Sequence, residues 1–365
     1  MKFYSKTSLI LLALVVFWPM SVLATSDFSL AVWVPYWKKT VAIQETSDHL
    51  KQIKTISPFS YEVRLNGTIY DPLKLKQESW VNLLKQARTQ GVKVVPSILW
   101  YGNNQATKRA IHQGLYNVKK RQAHIASIMA LVKSNNFDGI DIDYEGKMAE
   151  TMPYFSKFLT ELSAKLHAEK KILICTIEPR TPDASRFDKI PDDIRFANDY
   201  VVLAKVCDEV RLMAYDQTTI DLRLNERKSR DGYYAPVADA EWVAKIINIA
   251  LNKIPANKIV LGVANYGYVY EVTEKNGSYT YKKLKALTYQ TMLDLARDYQ
   301  ATPTRNKAGE LGFTYLKDGK WRVVSFSDPV AIAQKVTMAK KYGLKGVALF
   351  KVDGESSPDL WSVLR

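Results

Sequence analysis

The sequence predicts an α/β fold, a (β/α)8 TIM barrel with a small α+β insertion between its seventh and eighth strands. Three observations predict it: eight short apolar runs, amphipathic helical segments between them, and one gap between runs that is much longer than the others. Apolar strands that alternate with helices are typical of a parallel sheet covered by helices. Eight such units fit a closed barrel. The sequence has no Gly-x-Gly-x-x-Gly motif or phosphate-binding loop to favour an open sheet.

The first 24 residues have the pattern of a secretory signal peptide. Lys2 and Lys6 precede an apolar run at 9–18, and the segment ends in Val22-Leu23-Ala24. The apolar run is shorter than the ~20 residues of a membrane-spanning helix, although a single membrane anchor is the alternative. We therefore expect cleavage near Ala24 and a mature domain of residues 25–365. That domain would be secreted, periplasmic or held in the cell envelope, without stable membrane insertion.

Composition and charge exclude several classes of protein. The chain has 365 residues, 47% of them hydrophobic and 24% charged, which is typical of a globular protein. These values exclude a disordered tail, a collagen, a coiled coil and a disulfide scaffold. The net charge is +15 and is spread along the chain. It fits either a solvated surface or attraction to an anionic polymer such as a bacterial cell wall. No nucleic-acid-binding motif is present, so we expect no nucleic acid partner.

The strands and helices can be placed in order along the chain. The predicted strands span 29–37, 55–63, 92–99, 137–145, 171–179, 208–216, 258–267 and 345–353. Apolar residues recur at helical spacing between strands, at Trp80, Leu83, Leu84 and Ala87, at Ile125, Ile128, Met129 and Val132, and at Phe155, Phe158, Leu159 and Leu162. Ser79 is predicted to cap the first of these helices and Gly91 to follow its end. The insertion is predicted at 269–323, with a hairpin turn at Asp318-Gly319.

The two cysteines leave their pairing open. Export makes a disulfide between Cys175 and Cys207 possible, but their position beside apolar runs favours buried free thiols. The four histidines are scattered, and no pair has the spacing of metal ligands. We therefore expect no metal ion and no cofactor.

The segment FDGIDIDYEG, at 137–146, carries the chemistry. Side chains of a strand alternate between its two faces, so Asp141, Asp143 and Glu145 share one face and the hydrophobic side chains between them share the other. In a barrel these carboxylates line the interior and rise towards the C-terminal rim. A metal site or an ion-pair cluster is the alternative, but three oxygen ligands on one strand cannot surround an ion. Burying like charges is costly, which favours a catalytic role. Asp138, off this face, is predicted to be structural.

Here the sequence resembles glycoside hydrolase family 18: the chitinases, related N-acetylglucosaminidases and their inactive relatives. The pattern Asp-x-x-Asp-x-Asp-x-Glu on the fourth strand is complete, and Met213-Ala214-Tyr215-Asp216 resembles a second family motif on the sixth. The segment WRVVSFSD, at 321–328, is similar to the spore-cortex-lysing and cell-wall branch. The resemblance implies a monomeric glycosidase that binds polysaccharides or oligosaccharides containing N-acetylglucosamine, in chitin or peptidoglycan. An inactive lectin on the same fold is the alternative, although such lectins lack acidic residues that are intact here.

The resemblance also implies a role for each catalytic residue. The substrate's own 2-acetamido group is the nucleophile in this family. Glu145 is the general acid and later the base. Asp143 orients the acetamido group, and Asp141 shares a proton with Asp143. Tyr215 donates a hydrogen bond to the acetamido oxygen, and Asp216 lies in the same pocket.

Aromatic residues at the strand ends are predicted to bind sugar rings. The predicted substrate-binding residues are Tyr36, Tyr61, Trp100, Met213, Tyr266 and Phe350, with Trp37, Tyr101 and Tyr268 as neighbours. Phe350 departs from the family pattern, which has a tryptophan as the floor of the central sugar site. A phenyl ring offers less stacking area than an indole, which weakens the case for crystalline chitin as substrate.

Overall fold

The core is a closed barrel of eight parallel strands, seen in a computed structural model that describes residues 28–364. The barrel strands, first to eighth, are Ser29–Pro35, Thr55–Val63, Ser97–Tyr101, Gly139–Glu145, Ile172–Ile177, Glu209–Leu212, Ile259–Ala264 and Gly346–Phe350. Each pairs in parallel with the next, and the first pairs with both the second and the eighth. The predicted barrel is therefore confirmed. The proposed signal peptide, 1–24, lies outside the described residues.

Two barrel strands are shorter than predicted. The third is preceded by a separate two-residue strand, Lys93–Val94. The two are not continuous because Pro96, between them, lacks the N–H that an unbroken ladder of hydrogen bonds needs. The sixth ends at Leu212. Beyond it the N–H groups of Ala214 and Tyr215 bond carbonyls only two residues back, and Asp216 has a φ of 60°. The chain thus turns sharply at the barrel mouth, where Tyr215 and Asp216 lie.

Helices surround the barrel and continue into the insertion. They span Lys39–Asp48, Glu78–Thr89, Gln105–Tyr116, Val118–Ser134, Met152–Ala168, Asp183–Arg186, Tyr200–Val206, Leu222–Lys228, Ala240–Leu251, Tyr289–Asp298, Pro329–Lys341 and Leu360–Val363. The predicted apolar faces are confirmed, for example by buried Trp80 and Leu83. Ser79 was wrongly placed as a cap, because the helix already begins at Glu78. Within residues 28–364, no helix has the length and apolarity required to cross a bilayer.

Residues 266–326 form a second, antiparallel sheet, and this range includes the predicted insertion, 269–323. Its strands are Tyr266–Lys275, Ser278–Thr288, Thr304–Arg305, Leu311–Lys317 and Lys320–Phe326. The helix Tyr289–Asp298 packs on one face, through Met292 against Val269 and Phe326. Asp318 and Gly319 both have positive φ, as a tight hairpin turn requires.

The structure joins Cys175 and Cys207 by a disulfide, which is the less favoured of the two alternatives that the sequence left open. Both residues are fully buried, as predicted. Cys175 lies on the fifth strand, and Cys207 lies in the segment that leads into the neighbouring sixth. The parallel pairing of these strands brings the two Cα atoms to 6.1 Å, within the range of a disulfide.

Candidate active site

The fourth strand places Asp141, Asp143 and Glu145 at increasing height inside the barrel. Asp141 and Asp143 are buried, at 0% and 3% exposure, and Glu145 lies partly exposed at the rim. On the opposite face, the Tyr144 ring packs parallel to Phe158 in the helix layer. The alternation read from the sequence therefore holds along this strand.

Asp141 is held by donors from three other strands. Its carboxylate accepts hydrogen bonds from Trp33 Nε1 at 3.1 Å, Ser97 Oγ at 2.6 Å and Thr176 Oγ1 at 2.7 Å, and Arg211 Nη1 lies 3.7 Å away. No hydrogen bond joins Asp141 to Asp143 in the described part of the chain. These contacts show that Asp141 links four strands inside the barrel. That Asp141 shares a proton with Asp143 remains a prediction.

Arg211 is a buried cation that our sequence interpretation missed. Its Nε lies 2.7 Å from Glu209 Oε1, and its Nη1 donates to Ser57 Oγ at 2.8 Å. Lys345 pairs with the same Glu209 at 3.1 Å. A chain of opposite charges thus runs through the barrel and ends at Asp141. The alternation of Glu209 and Arg211 on an apolar strand was the signal that could have revealed it.

Asp143 has the most perturbed environment of the three acids. Its Oδ1 is buried and has no hydrogen-bond partner among the described residues. Burial, and then the charges of Glu145 and Asp141, raise the pKa of Asp143 well above its usual value. This shift favours the protonated, neutral form of Asp143, which can donate a hydrogen bond.

Glu145 has a pKa suited to proton transfer. Burial raises its pKa to about 7, with further contributions from the negative charges of Glu178 and Asp216, while Lys147 opposes the shift. A carboxyl with a pKa near 7 can both give and take a proton at neutral pH. Of the predicted catalytic residues, Glu145 therefore best fits a general acid and base.

Glu178 supports the rim beside Glu145 and was also missed. Its carboxylate accepts hydrogen bonds from Gly146 N at 2.6 Å and from Asn198 Nδ2 at 2.9 Å, and lies 3.5 Å from Lys147 Nζ. Lys147 is buried and also donates to the carbonyl of Tyr144. The polar residue after the fifth strand, at a barrel's C-terminal edge, was the available signal.

The second family motif builds the opposite wall. The Tyr215 ring stacks on Phe350, with centroids 5.5 Å apart and an interplanar angle of 13°. Asp216 Oδ1 accepts hydrogen bonds from Tyr266 and Tyr268, both at 2.7 Å. The insertion sheet is therefore tied directly to the site through its first strand.

A cleft of about 470 Å³ opens between the barrel mouth and the insertion. It is lined by Trp37, Lys38, Asp216, Tyr266, Tyr268, Ala286, Leu287, Thr288, Thr291, Phe350, Lys351 and Glu355. Its size is within the usual range for small-molecule sites. Mixed aromatic and polar walls suit a sugar, which has apolar ring faces and polar edges.

The structure places two predicted sugar-binding residues away from this cleft. Trp100 is 2% exposed and packs against Tyr144, so it belongs to the helix layer. The reason is strand alternation: Ser97 points inward, so Trp100 points outward. Tyr61 is 5% exposed and packs edge-on against Phe137 in the apolar core. A bulge between Phe59 and Tyr61 interrupts the strand before it.

The other predicted residues lie in or near the cleft. Tyr266 and Phe350 line it. Tyr36 does not line the cleft, and its hydroxyl donates a hydrogen bond to Glu62. The neighbouring Trp37, which is 47% exposed, lines the cleft. Met213 is buried in the main apolar core, and its role in binding stays a prediction.

A second cavity, of about 410 Å³, lies against the insertion sheet. Its lining includes Tyr234, Asn306 and Thr314 but no acidic side chain among the described residues. It therefore lacks the acid and base of a hydrolytic site. Within residues 28–364, no cluster of three or more acidic, histidine or cysteine side chains could hold a metal ion.

The chain is similar to several known proteins. It is 26% identical to the uncharacterized glycosylase YvbX of Bacillus subtilis, over 65% of this chain and 63% of that protein. It is 25% identical to the cortical fragment-lytic enzyme of the same organism, over 88% of this chain and 69% of that enzyme. The chain thus spans about two thirds of the length of these relatives.

Solved structures share the fold. The spore cortex-lytic enzyme SleL of Bacillus cereus has a TM-score of 0.72 at 20% identity, covering 92% of this chain and 73% of that one. A chitinase of Chromobacterium violaceum has a TM-score of 0.72 at 18% identity, covering 92% and 98%.

The family profile named Glycosyl hydrolases family 18 matches residues 32–355. This range contains all eight barrel strands except the start of the first, together with the insertion and the acidic fourth strand. The chain therefore belongs to family 18 of the glycosyl hydrolases.

Proposed function

We propose that this protein is an exported glycosidase that cleaves β-1,4 bonds next to N-acetylglucosamine by a substrate-assisted, retaining mechanism. The observation that carries the proposal is Glu145, a carboxyl with a pKa of about 7 at the barrel rim, whose charged neighbour Asp216 lines a cleft with aromatic walls. The names of its relatives, chitinases and cortical fragment-lytic enzymes, support chitin oligomers and peptidoglycan glycan as the two substrates to test.

The first step breaks the glycosidic bond. The acetamido carbonyl oxygen of the substrate attacks the anomeric carbon, and the leaving oxygen takes the proton of Glu145. Asp143, whose raised pKa favours the neutral form before the reaction, passes its own proton towards Asp141 and accepts a hydrogen bond from the acetamido N–H as positive charge develops on the resulting oxazolinium. Tyr215 donates a hydrogen bond to the acetamido oxygen, and the Phe350 ring supports the sugar from below.

The second step restores the enzyme. Glu145, now a carboxylate, removes a proton from water while that water attacks the anomeric carbon and opens the oxazolinium ring. The acetamido group leaves from one face and water enters on the opposite face, so two inversions restore the β configuration. One residue thus serves as acid and as base, in agreement with a pKa near neutrality.

Export is supported by the disulfide. A bridge between Cys175 and Cys207 is stable in an oxidising compartment and rare in the cytosol. This agrees with the secretory pattern of residues 1–24. The net charge of +15 also favours association with an anionic cell wall.

The test is Glu145→Gln, which keeps the shape of the side chain but removes its proton transfer. We expect turnover of N-acetylglucosamine oligomers and of peptidoglycan to fall by at least ~10²–10⁴-fold, because general acid–base catalysis contributes that much. Binding of the oligomers, measured by calorimetry, should persist. Glu150→Gln, on an exposed residue close by, is the control and should keep full activity. Undiminished turnover in Glu145→Gln would contradict the proposal, and binding without any turnover in the wild type would favour a lectin.

A further inference from the structure

One wall of the cleft is built from contacts that meet at Glu355, in the segment after the eighth strand. Its Oε1 lies 2.5 Å from Lys38 Nζ, which follows the first strand. Its Oε2 accepts hydrogen bonds from Thr288 and Thr291 at the start of the insertion helix, the second at 3.2 Å. Its carbonyl accepts from Gln290 N at 3.3 Å. We call this set of contacts the Glu355 bridge.

The bridge joins parts of the chain that are far apart in sequence. Lys38 and Glu355 are separated by 317 positions, and Glu355 and Thr288 by 67. Burial alone would raise the pKa of Glu355, but its hydrogen bonds to Lys38 and Thr288 hold that pKa below its usual value. Glu355 is therefore an anion at neutral pH, in contact with the Lys38 side chain.

The bridge lies on the side of the cleft away from Glu145. Lys38, Glu355, Thr288 and Thr291 all line the cleft, whereas Glu145 does not. Glu145 ends the fourth strand and Glu355 follows the eighth, and these two strands lie across the closed eight-stranded barrel from each other. Tyr101, which is 52% exposed, pairs in register with Glu145 on that far side.

The direction of the substrate follows from the chemistry. A general acid protonates the oxygen of the departing sugar, so the leaving group lies on the side of Glu145. The sugar that rests on Phe350 is the one that keeps its anomeric carbon at the reaction centre. Sugars beyond it, towards Lys38 and Glu355, belong to the non-reducing end of the chain.

We propose that the Glu355 bridge makes this protein an exo-acting glycosidase that accepts only the non-reducing end of a glycan and releases a short fragment from it. The inference rests on the proposed function, because the direction of the substrate depends on Glu145 as the acid. A cleft of about 470 Å³ is at the lower part of the range that holds a ligand of drug-like size. This volume suits a short sugar end, and on this proposal the Glu355 bridge is the barrier to a chain that continues.

The first experiment uses a hexamer of N-acetylglucosamine with a fluorescent label at its reducing end. Exo action from the other end predicts an unlabelled fragment of one or two sugars, together with a single labelled partner of complementary length. Labelled fragments of every length in the earliest samples would overturn the inference.

The second experiment opens the bridge. Glu355→Ala removes every side-chain contact of the bridge, and Lys38→Met removes only the ion pair. We expect the share of internal cleavage to rise roughly tenfold in Glu355→Ala, at the low end of what one specificity contact supplies, and less in Lys38→Met. Glu271→Ala is the matched control, because Glu271 pairs with Lys320 and Arg322 on the opposite face of the same insertion sheet. A product pattern identical in Glu355→Ala and wild type, with both proteins folded by melting temperature, would overturn the role of the bridge.

Binding tests the inference independently of turnover. In Glu145→Gln, hexamers with a bulky group on the non-reducing end should bind at least tenfold more weakly than hexamers with the same group on the reducing end. Equal binding of the two would overturn the inference. Normal binding selectivity without hydrolysis in the wild type would instead overturn the proposed function and leave the closed end established.

Discussion

At the scale of single residues, the charges around Glu145 act on its proton in opposite directions. Burial and the carboxylates of Glu178 and Asp216 favour the protonated form, and Lys147 favours the anion. Glu178 itself is held as an anion, because Lys147 and Asn198 outweigh the effect of its burial and its pKa is lowered. The acid therefore faces a fixed negative charge, which keeps it protonated up to neutral pH.

This arrangement predicts a pH effect for Glu178→Gln. A general acid works only while protonated, so activity falls as pH rises through the pKa of Glu145, about 7. Removing the charge of Glu178 removes a contribution that raises this pKa, so the alkaline limb of kcat/KM should move to lower pH. A movement of about one pH unit corresponds to about 1.4 kcal/mol. An unmoved limb, in a variant with reduced activity at all pH values, would show that Glu178 acts only by holding Gly146. Glu150→Gln should leave the profile unchanged.

At the scale of the elements, strand alternation explains what the sequence could and could not predict. The eight strands and the inward face of the fourth followed from apolar runs and a period of two. The prediction for Trp100 was wrong, because the sequence alone does not show which face of the third strand points into the barrel. The hydrogen bond from Ser97 to Asp141 shows that Ser97 points inward, so Trp100 points outward. The predicted placement of Tyr61 in the cleft was wrong for a different reason. A bulge in the second strand changes the direction of its side chains, and the apolar pattern does not reveal a bulge.

The third strand gives a direct test of this placement. Trp100→Ala should lower the free energy of unfolding by about 3–5 kcal/mol, as is usual for a buried tryptophan, and leave oligomer affinity of the folded protein unchanged. Tyr101→Ala should instead leave the stability nearly unchanged and weaken oligomer binding. Its ring is 52% exposed, so stability should change by no more than about 0.5 kcal/mol, as at most exposed sites. Its loss should weaken oligomer binding about tenfold, a typical cost of losing an aromatic contact. Chemical denaturation and calorimetry on both variants distinguish the two positions, and a loss of affinity in Trp100→Ala would reject the assignment.

At the scale of the whole molecule, function depends on contacts between segments that are remote in the chain. The position of the insertion followed from the long gap between strands. Its attachment did not: the bonds of Tyr266 and Tyr268 to Asp216, and the bridge at Glu355, arise only when the barrel closes. Arg211 and Glu178 were missed for the same reason, since their partners Asp141 and Lys147 come from other parts of the chain.

The disulfide between Cys175 and Cys207 is a covalent contact between segments that are remote in the chain. It predicts that the protein is more stable in an oxidising compartment than in a reducing one. The bridge between Cys175 and Cys207 closes a loop over 32 positions, so it should contribute about 3–4 kcal/mol by restricting the unfolded chain. Urea unfolding with and without dithiothreitol measures this difference. Both sulfurs are fully buried, so complete reduction will require partial unfolding, and the reduced protein should be prepared under denaturing conditions and refolded. The double variant Cys175→Ala/Cys207→Ala is the control and should be less stable than the oxidised protein and insensitive to dithiothreitol. Equal stability of the oxidised and reduced proteins would show that the bond does not stabilise the barrel, and would remove the structural support for export.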